Sequence, residues 1–210
     1  MCYDACMKCK RGEDVADKIE VAAIMALHCA SIVDWKAHGV TEKTKGFLAL
    51  VEKNHAFNYQ LWHAEDKARR EDKGHTYVYH AKREIDAYNQ SRNDCMEAID
   101  DDLFVQLKPA APEICPVHSE TPGMMIDRLS ILALKHYHMA IQTVRQDVDA
   151  EHRTQCLHKL AVIQAQTEQL GYCLTALLQE TIEKTRTFRI YRQFKMYNSK
   201  ALNPALYASD

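Results

Sequence analysis

The chain has 210 residues, enough for one domain with a sizeable core, and its six glycines and five prolines leave few places where a helix must break. Its formal net charge of −2 excludes the strong basic excess of general nucleic-acid-binding proteins. No stretch approaches the roughly 18 uninterrupted apolar residues of a membrane span, and the first residues lack a secretory apolar region, so a cytoplasmic protein is expected.

Residues 1–12 are expected to form a flexible tail with three closely spaced cysteines, Cys2, Cys6 and Cys9. Their CxxxCxxC spacing matches the iron–sulfur signature of radical-SAM enzymes, and three thiolates could also contribute to a zinc site. Radical-SAM enzymes place this triplet after a strand of a β/α barrel, whereas no alternating β/α pattern follows here. We therefore expect a reduced tail without a cluster, followed by a single domain over residues 13–210.

Beyond the tail, apolar residues recur at steps of three and four, which is the spacing of one buried helix face. Helices are predicted over residues 13–38, 41–72, 76–106, 122–148 and 151–185. The boundary near residue 148 has neither glycine nor proline, so one continuous helix from 122 to 185 stays open. The proline-rich segment 108–116 is expected to be a connector that crosses the bundle. The fold class is all-α, a single-domain bundle of about five long helices with a C-terminal tail packed across it.

The second predicted helix becomes more polar toward its end. A stripe through Val51, His55 and Asn58 continues into residues suited to acid/base, metal or ligand contacts: Trp62, His63, Glu65, Asp66 and Arg69. The alternative is a helix end whose ion pairs only face solvent. Glu52 and His55 have the Glu-x-x-His spacing of di-iron bundles, but a di-iron site needs two such pairs and two further carboxylates. Half of that ligand set is missing.

Arg92 falls in the apolar seam of the third predicted helix, where a buried guanidinium is costly unless it is paired. Its candidate partners are an acid on a facing helix or the nearby polar residues Asp86, Asn89, Asn93 and Asp94.

The same helix carries an acidic ladder, made of Asp94, Glu97 and Asp100 or Asp101. Acids three residues apart project from one helix face and could share Mg²⁺, which is the one cofactor that stays open. The other interpretation is a solvated charged face.

The fourth predicted helix has the clearest start in the chain. Thr121 is expected as its N-cap, with Pro122 at the first helical position. Its seam includes His136, expected as a core histidine, whereas the charged residues of this segment lie beside the seam: Glu120, Asp127, Arg128, Lys135 and His138. We expect this segment to form one wall of a polar site shared with the second and third helices and the tail.

Basic and aromatic residues interleave near the C-terminus, where Arg186, Arg189, Arg192 and Lys195 follow one another in steps of three. Arginine forks match phosphate oxygens and aromatic rings stack on other rings, so this segment is a candidate phosphate or sugar-phosphate clamp. The alternative is that these cations neutralise acids of the second and third helices.

Four segments in a fixed order carry a family resemblance: LWHAEDKARR (61–70), AKREIDAYNQSRNDCMEAID (81–100), SETPGMMIDRLSILALKHYHM (119–139) and YRQFKMYNSKALNPALY (191–207). Together they resemble a bacterial family catalogued as domain of unknown function 4254, over roughly residues 13–207. The resemblance implies a cytosolic helical protein without an established activity, whose genes neighbour those of cell-surface polysaccharide glycosyltransferases. Ser199 departs from the pattern, since an acid is expected there. The characteristic polar positions match Trp62, His63, Glu65, Asp66, Arg69, Asp86, Asn89, Arg92, Asn93, Asp94, Glu120, Thr121, Asp127, Arg128, Lys135, Arg192, Lys195, Tyr197 and Asn198.

Two classes of function are then expected. The first is a non-catalytic accessory protein whose buried polar network holds a phosphorylated sugar, a nucleotide sugar or a partner protein such as a glycosyltransferase. The second is an enzyme of the same pathway. Its candidate acid/base or magnesium-binding residues are Glu65, Asp66 and Asp127. Its candidate phosphate-binding residues are Arg92, Arg128 and Lys195. A third interpretation is a structural homo-oligomer that uses its polar seam to set the packing.

Overall fold

The computed structural model describes residues 19–194, 196 and 200–207. Five long helices follow one another in that part of the chain: α1 Val21–His38, α2 Phe47–Ala68, α3 His75–Leu107, α4 Pro122–Thr143 and α5 Ala150–Ile182. A 3₁₀ turn, Glu71–Lys73, lies between α2 and α3, and a one-turn helix, α6 Pro204–Tyr207, comes last. The prediction of an all-α bundle of about five long helices is confirmed. Within the described residues, every helix is too short or too polar to cross a membrane.

The bundle is built from two helical hairpins and one further helix. α2 packs along α3, α4 packs along α5, and α1 lies against α4, α2 and α5. A larger apolar cluster includes Ile24, Val51 and Ile99, while a smaller cluster surrounds Trp35 and Leu134. Because α1 and α2 contribute to both clusters, the core is continuous along their length, which is what packing an apolar face of each helix should produce.

Local signals explain where most helices begin and end. The Thr121 side chain accepts the Met124 N–H at 3.2 Å, with Pro122 in the first helical turn, as predicted. Asp149 caps α5 in the same way by accepting the His152 N–H at 2.7 Å. This second cap separates α4 from α5, so the single continuous helix is excluded, and α4 ends at Thr143 rather than at residue 148.

Two predicted helix starts are wrong. Within the described residues α1 begins at Val21, because Ile19 and Glu20 are not helical; the predicted residues 13–18 lie outside the described part of the chain. α2 begins at Phe47 rather than at residue 41. The reason is the Glu52 carboxylate, which accepts both the Lys43 and Thr44 N–H groups, at 2.9 and 2.7 Å, and so holds the preceding residues in a loop.

A close helix contact and a short parallel bridge fix the start of α4. A Cβ atom on Gly123 would lie 2.6 Å from the Met96 carbonyl oxygen, so the first turn of α4 abuts α3 at a distance that only glycine permits. Just before this turn, β1 Val117–His118 pairs in parallel with β2 Thr187–Phe188, which follows α5. The connector between α3 and α4 is thereby tied to the end of α5.

Candidate functional site

A buried polar network joins the middles of α2, α3 and α4. We use this name for six residues: Asn54, His55, Asn58, Arg92, Asp127 and Ser130. On α2, Asn58 lies three residues after His55 and four after Asn54, and on α4 Ser130 lies three residues after Asp127, so the side chains of each helix are neighbours on its surface. All except Arg92 are buried.

The ion pair of this network is Arg92 with Asp127. The Arg92 Nε donates to one carboxylate oxygen at 2.8 Å, and Nη2 donates to the other, which is the bidentate fork that arginine favours. This hydrogen bonding raises the pKa of Arg92 further, so the guanidinium stays charged. Of the partners that the sequence left open for Arg92, the structure selects the acid on a facing helix.

Both oxygens of the Asp127 carboxylate accept hydrogen bonds inside the network. The oxygen that accepts from Arg92 Nε also accepts from the side-chain amides of Asn54 and Asn58, at 3.1 and 2.9 Å. Asp127 is 2% exposed. A general acid or base must come within hydrogen-bond reach of a substrate proton. The geometry is instead that of a structural anion, and it does not support the catalytic role that the sequence suggested for Asp127.

The hydrogen bonds around His55 define its tautomer. Nε2 lies 3.0 Å from the His28 carbonyl oxygen, which can only accept, so Nε2 carries the proton. Nδ1 therefore accepts from the Ser130 hydroxyl at 2.7 Å, and the Ser130 oxygen accepts from Asn58 at 2.9 Å. Burial lowers the pKa of His55 to about 4, so this chain of donors and acceptors contains a neutral imidazole at neutral pH.

The polar end of α2 lies apart from this network. The Trp62 ring stacks on the His138 ring of α4 with centroids 4.5 Å apart, and His63 contacts the edge of Tyr59. Burial is the main cause that lowers the pKa values of His63 and His138. The Trp62 and His138 rings cover one another and leave only their outer faces for a ligand.

The acids predicted at this end of α2 face solvent. Glu65 pairs with Arg69 at 3.6 Å along the helix, and Asp66 lies 4.0 Å from the His63 ring. Within the described residues, no group of three or more His, Cys, Asp or Glu side chains is arranged to hold a metal ion. The contacts at the end of α2 are those of a charged helix end.

The polar residues near Arg92 on α3 do not pair with it. Asp86 lies 3.6 Å from both Lys82 and Arg83 on the outer face of the helix, and Asp94 accepts from Gln90 at 2.7 Å. Asn89 and Asn93 are half-buried and contribute no hydrogen bond to the network. These four predicted site residues therefore lie outside the network.

The acidic ladder of α3 is divided between two environments. Arg192 donates to both Glu97 and Asp101, with 2.6 Å from Nη2 to Asp101, so the tail cation neutralises two acids of α3. Asp100 points the other way, where it accepts from the Thr121 hydroxyl at 2.5 Å and the Gly123 N–H at 2.6 Å. Burial raises the pKa of Asp100 to about 6. This division argues against a shared magnesium ion.

A groove lies between α4 and α5, on a different face of α4 from Asp127. We call it the α4–α5 groove; it has a volume of about 600 Å³. Arg128 and Lys135 line it from α4, and Arg128 Nη1 donates to both oxygens of Glu120 at 2.6 and 2.7 Å. Lys135 is exposed and has no charged partner among the described residues. From α5 the groove receives Gln166 and Gln169.

The expectation of one shared polar site is therefore wrong. Asp127 and Arg128 are neighbours, but successive helix residues point about 100° apart, so one enters the buried polar network and the other enters the groove. His136 is half-buried rather than a core residue. Lys195, Tyr197, Asn198 and Ser199 lie outside the described residues, as do Cys2, Cys6 and Cys9.

Asn54, Asn58 and Ser130 are the site residues that sequence reasoning underrated. Asn54 and Asn58 lie one turn apart, and Asp127 and Ser130 lie three residues apart, which was the available signal. Amide and hydroxyl side chains carry no charge, so their position beside an apolar stripe did not identify them as buried.

Comparison with known proteins identifies the family but adds no activity. A family model described as protein of unknown function, DUF4254, matches residues 48–190. This range is narrower than the 13–207 expected from the motifs. It begins at the second residue of α2 and contains α3 to α5 and both strands, while it excludes α1 and Arg192. No curated protein and no solved structure matches the chain. Because the matched range is well over half of the chain, this protein belongs to the DUF4254 family.

Proposed function

We propose that this protein is a binding protein that holds a phosphorylated sugar or nucleotide sugar in the α4–α5 groove. In this proposal it is a cytoplasmic accessory factor in the assembly of bacterial cell-surface polysaccharide, acting beside glycosyltransferases. The observation that carries the proposal is the pair Arg128 and Lys135, two cations on the same side of α4 that both line the groove.

The spacing of these cations suits a phosphate group or diphosphate. Seven residues make about two helix turns, so their Cα atoms lie ~10 Å apart along the helix axis, and both side chains are long and exposed. Arg128 can still offer donors other than Nη1, which is engaged by Glu120. A phosphate that binds here can bridge the Arg128 guanidinium and the Lys135 ammonium.

The remaining lining suits the rest of such a ligand. Gln166 and Gln169 carry amides that can donate to and accept from sugar hydroxyls, while Met125, Leu132 and Leu170 provide an apolar floor. The volume of about 600 Å³ falls within the range of roughly 300–1,000 Å³ that is usual for small-molecule sites. Size, charge and polarity therefore agree on a small anionic ligand.

The geometry favours binding over catalysis as the proposal. Asp127 is buried and both of its oxygens accept hydrogen bonds from Arg92, Asn54 or Asn58, while Glu65 and Asp66 lie at the surface of the α2 end. Glu120 is the acid in the groove, and it is held by Arg128. If the protein were instead an enzyme, ligand binding would have to release one of these four carboxylates from its present partner, so that it could donate or accept a proton.

The test is a thermal-shift titration with UDP-glucose and glucose 1-phosphate, with and without Mg²⁺. A ligand present at 100 times its Kd stabilises the native state by about 2.7 kcal/mol, which raises Tm by roughly 5–10 °C for a chain of this size. We expect Lys135→Gln and Arg128→Gln each to reduce the shift by at least about half. Arg145→Gln is the matched control, since Arg145 pairs with Asp147 in the connection between α4 and α5.

The outcomes are distinct. No shift with either ligand at millimolar concentration would contradict the proposal. A shift that survives both groove variants would place the ligand elsewhere. Formation of product during the titration would favour the enzyme of the same pathway.

A further inference from the structure

The α4–α5 groove already holds one oxyanion, which is the carboxylate of Glu120. Glu120 immediately precedes Thr121, the N-cap of α4, and Arg128 lies eight residues after Glu120. Arg128 Nη1 donates to both Glu120 oxygens, at 2.6 and 2.7 Å. Both side chains line the groove. The structure therefore shows directly that Arg128 can receive an oxyanion at this place.

The main chain holds Glu120 in position at the groove. The His118 Nδ1 atom lies 2.8 Å from the Glu120 carbonyl oxygen and 3.2 Å from the Glu120 amide nitrogen. His118 belongs to β1, which pairs with β2, and Thr121 on the other side of Glu120 caps α4. The residue is fixed from both directions, so its carboxylate stays within reach of Arg128.

The ion pair of Glu120 with Arg128 is accessible to solvent. The Arg128 side chain is 54% exposed and that of Glu120 is 35% exposed. Exposed ion pairs contribute little to stability, because water solvates both charges when the pair opens. Unlike the Arg92–Asp127 pair, this one can separate without leaving a buried charge uncompensated. A ligand in the groove therefore meets a guanidinium whose partner can be displaced.

A ligand anion and the Glu120 carboxylate compete for the same cation. An anion that binds to Arg128 must displace this carboxylate or share the guanidinium with it, and sharing brings two like charges close together. The carboxylate also belongs to the same chain as Arg128, which gives it a high effective concentration. A free, singly charged carboxylate therefore gains little over Glu120 itself.

A phosphate monoester is better able to overcome this competition. At pH 8 it carries about two negative charges, since its second pKa is near 6. Lys135, the other cation of the groove, has no charged partner in the part of the chain that the structure describes. Two charges on the ligand thus match the two cations Arg128 and Lys135, whereas a carboxylate has one charge to divide between them.

We propose that Glu120 is a built-in competitor that makes the α4–α5 groove selective for doubly charged phosphate groups over singly charged carboxylates. This inference rests on the proposed function of the groove and narrows its ligand class. The preferred ligand is a sugar phosphate, or a nucleotide sugar with its diphosphate, rather than a sugar acid. Glu120 sets this specificity by repelling and excluding the weaker anion, without itself holding the ligand.

The test compares wild type with Glu120→Gln by isothermal titration calorimetry at pH 8 and low salt. Glucose 1-phosphate is the probe, and glucuronate is the singly charged comparison. One unit charge acting over about 4 Å in water corresponds to about fivefold in affinity, so wild type should prefer glucose 1-phosphate by at least this factor. Glu120→Gln keeps the size of the side chain but removes its charge, and should raise the affinity for glucose 1-phosphate by about fivefold. Glu120→Ala should change the affinity in the same direction.

Asp147→Asn is the matched control for the loss of one negative charge. Asp147 pairs with Arg145 in the connection between α4 and α5, and its replacement should change the affinity by less than about twofold. Equal or weaker binding of glucose 1-phosphate by Glu120→Gln would overturn the inference and leave the groove as a binding site. Equal affinity of wild type for the two probes would also overturn it. If neither wild type nor Glu120→Gln binds glucose 1-phosphate or UDP-glucose, the proposed function itself fails.

Discussion

Replacing Asp127 with Asn tests the buried polar network most directly. The substitution keeps the size of the side chain but removes the charge that faces Arg92. If the new amide oxygen accepts from Asn54, Asn58 and Arg92 Nε, its NH₂ group must face the Arg92 Nη2 donor. The variant therefore loses an ion pair and gains a donor–donor contact.

The magnitude follows from burial. Removing one partner of a buried ion pair typically costs about 3–5 kcal/mol, because the other charge stays buried without compensation. The Arg92 side chain is 23% exposed, so water can solvate part of it, and the lower end of that range, about 3 kcal/mol, applies. With a urea slope of about 3 kcal/mol per M, the unfolding midpoint should fall by about 1 M.

The assay is urea unfolding followed by far-ultraviolet circular dichroism. Asp86→Asn is the matched control, since Asp86 is a carboxylate of α3 with only exposed partners, and it should change stability by less than about 0.5 kcal/mol. A cycle with Arg92→Met should give a coupling energy of about 2 kcal/mol. A midpoint for Asp127→Asn within 0.3 M of wild type (about 1 kcal/mol), with an unchanged slope, would refute the reasoning.

Two further predictions concern the junction of α3 and α4. Asp100 has a pKa raised to about 6 in the native state against 3.8 ordinarily, so the native state binds its proton more tightly than the unfolded chain. The free energy of unfolding of wild type, measured relative to Asp100→Asn, should therefore fall as pH rises from about 4 to about 6; no difference in pH dependence between the two proteins would contradict this. Gly123→Ala should lower stability by about 1–3 kcal/mol in thermal or urea unfolding, because the new methyl group meets the Met96 backbone carbonyl. Gly171→Ala should cost less, since its methyl group meets the flexible end of the Met25 side chain, and equal losses for the two variants would refute the argument.

The parts of the fold that depend on neighbouring residues were predictable from the sequence. Thr121 and Pro122 specify the start of α4 through a hydrogen bond three residues away and a fixed φ. α1 ends at His38 as predicted, where Gly39 follows with φ of 82° and its N–H bonded to the Trp35 carbonyl oxygen. In contrast, the loop before α2 depends on Glu52, eight and nine residues from the groups that it binds, and helical periodicity carries no sign of it.

The candidate site was less predictable because it depends on how the helices are rotated against one another. The sequence showed that Arg92 needs a partner, but choosing Asp127 over Asp86 or Asp94 requires the orientation of α4. The separation of Asp127 from Arg128 follows from helix geometry alone and was available from the sequence. The cavity of about 270 Å³ that His28 lines lies between α1 and the α4–α5 hairpin, which are distant along the chain, and no local pattern indicates it.

The Arg92–Asp127 pair also has a consequence for how the chain folds. The α2–α3 and α4–α5 hairpins contain mostly local contacts and should form quickly, whereas their docking brings together residues 35 to 73 positions apart, as in the contacts of Asp127 with Arg92 and Asn54. If the hairpins docked one helix turn out of place, both charges would be buried apart from each other. Such misdocked states are costly and should dissociate rather than persist. The requirement to pair these two charges therefore selects the native docking of the two hairpins over misaligned arrangements.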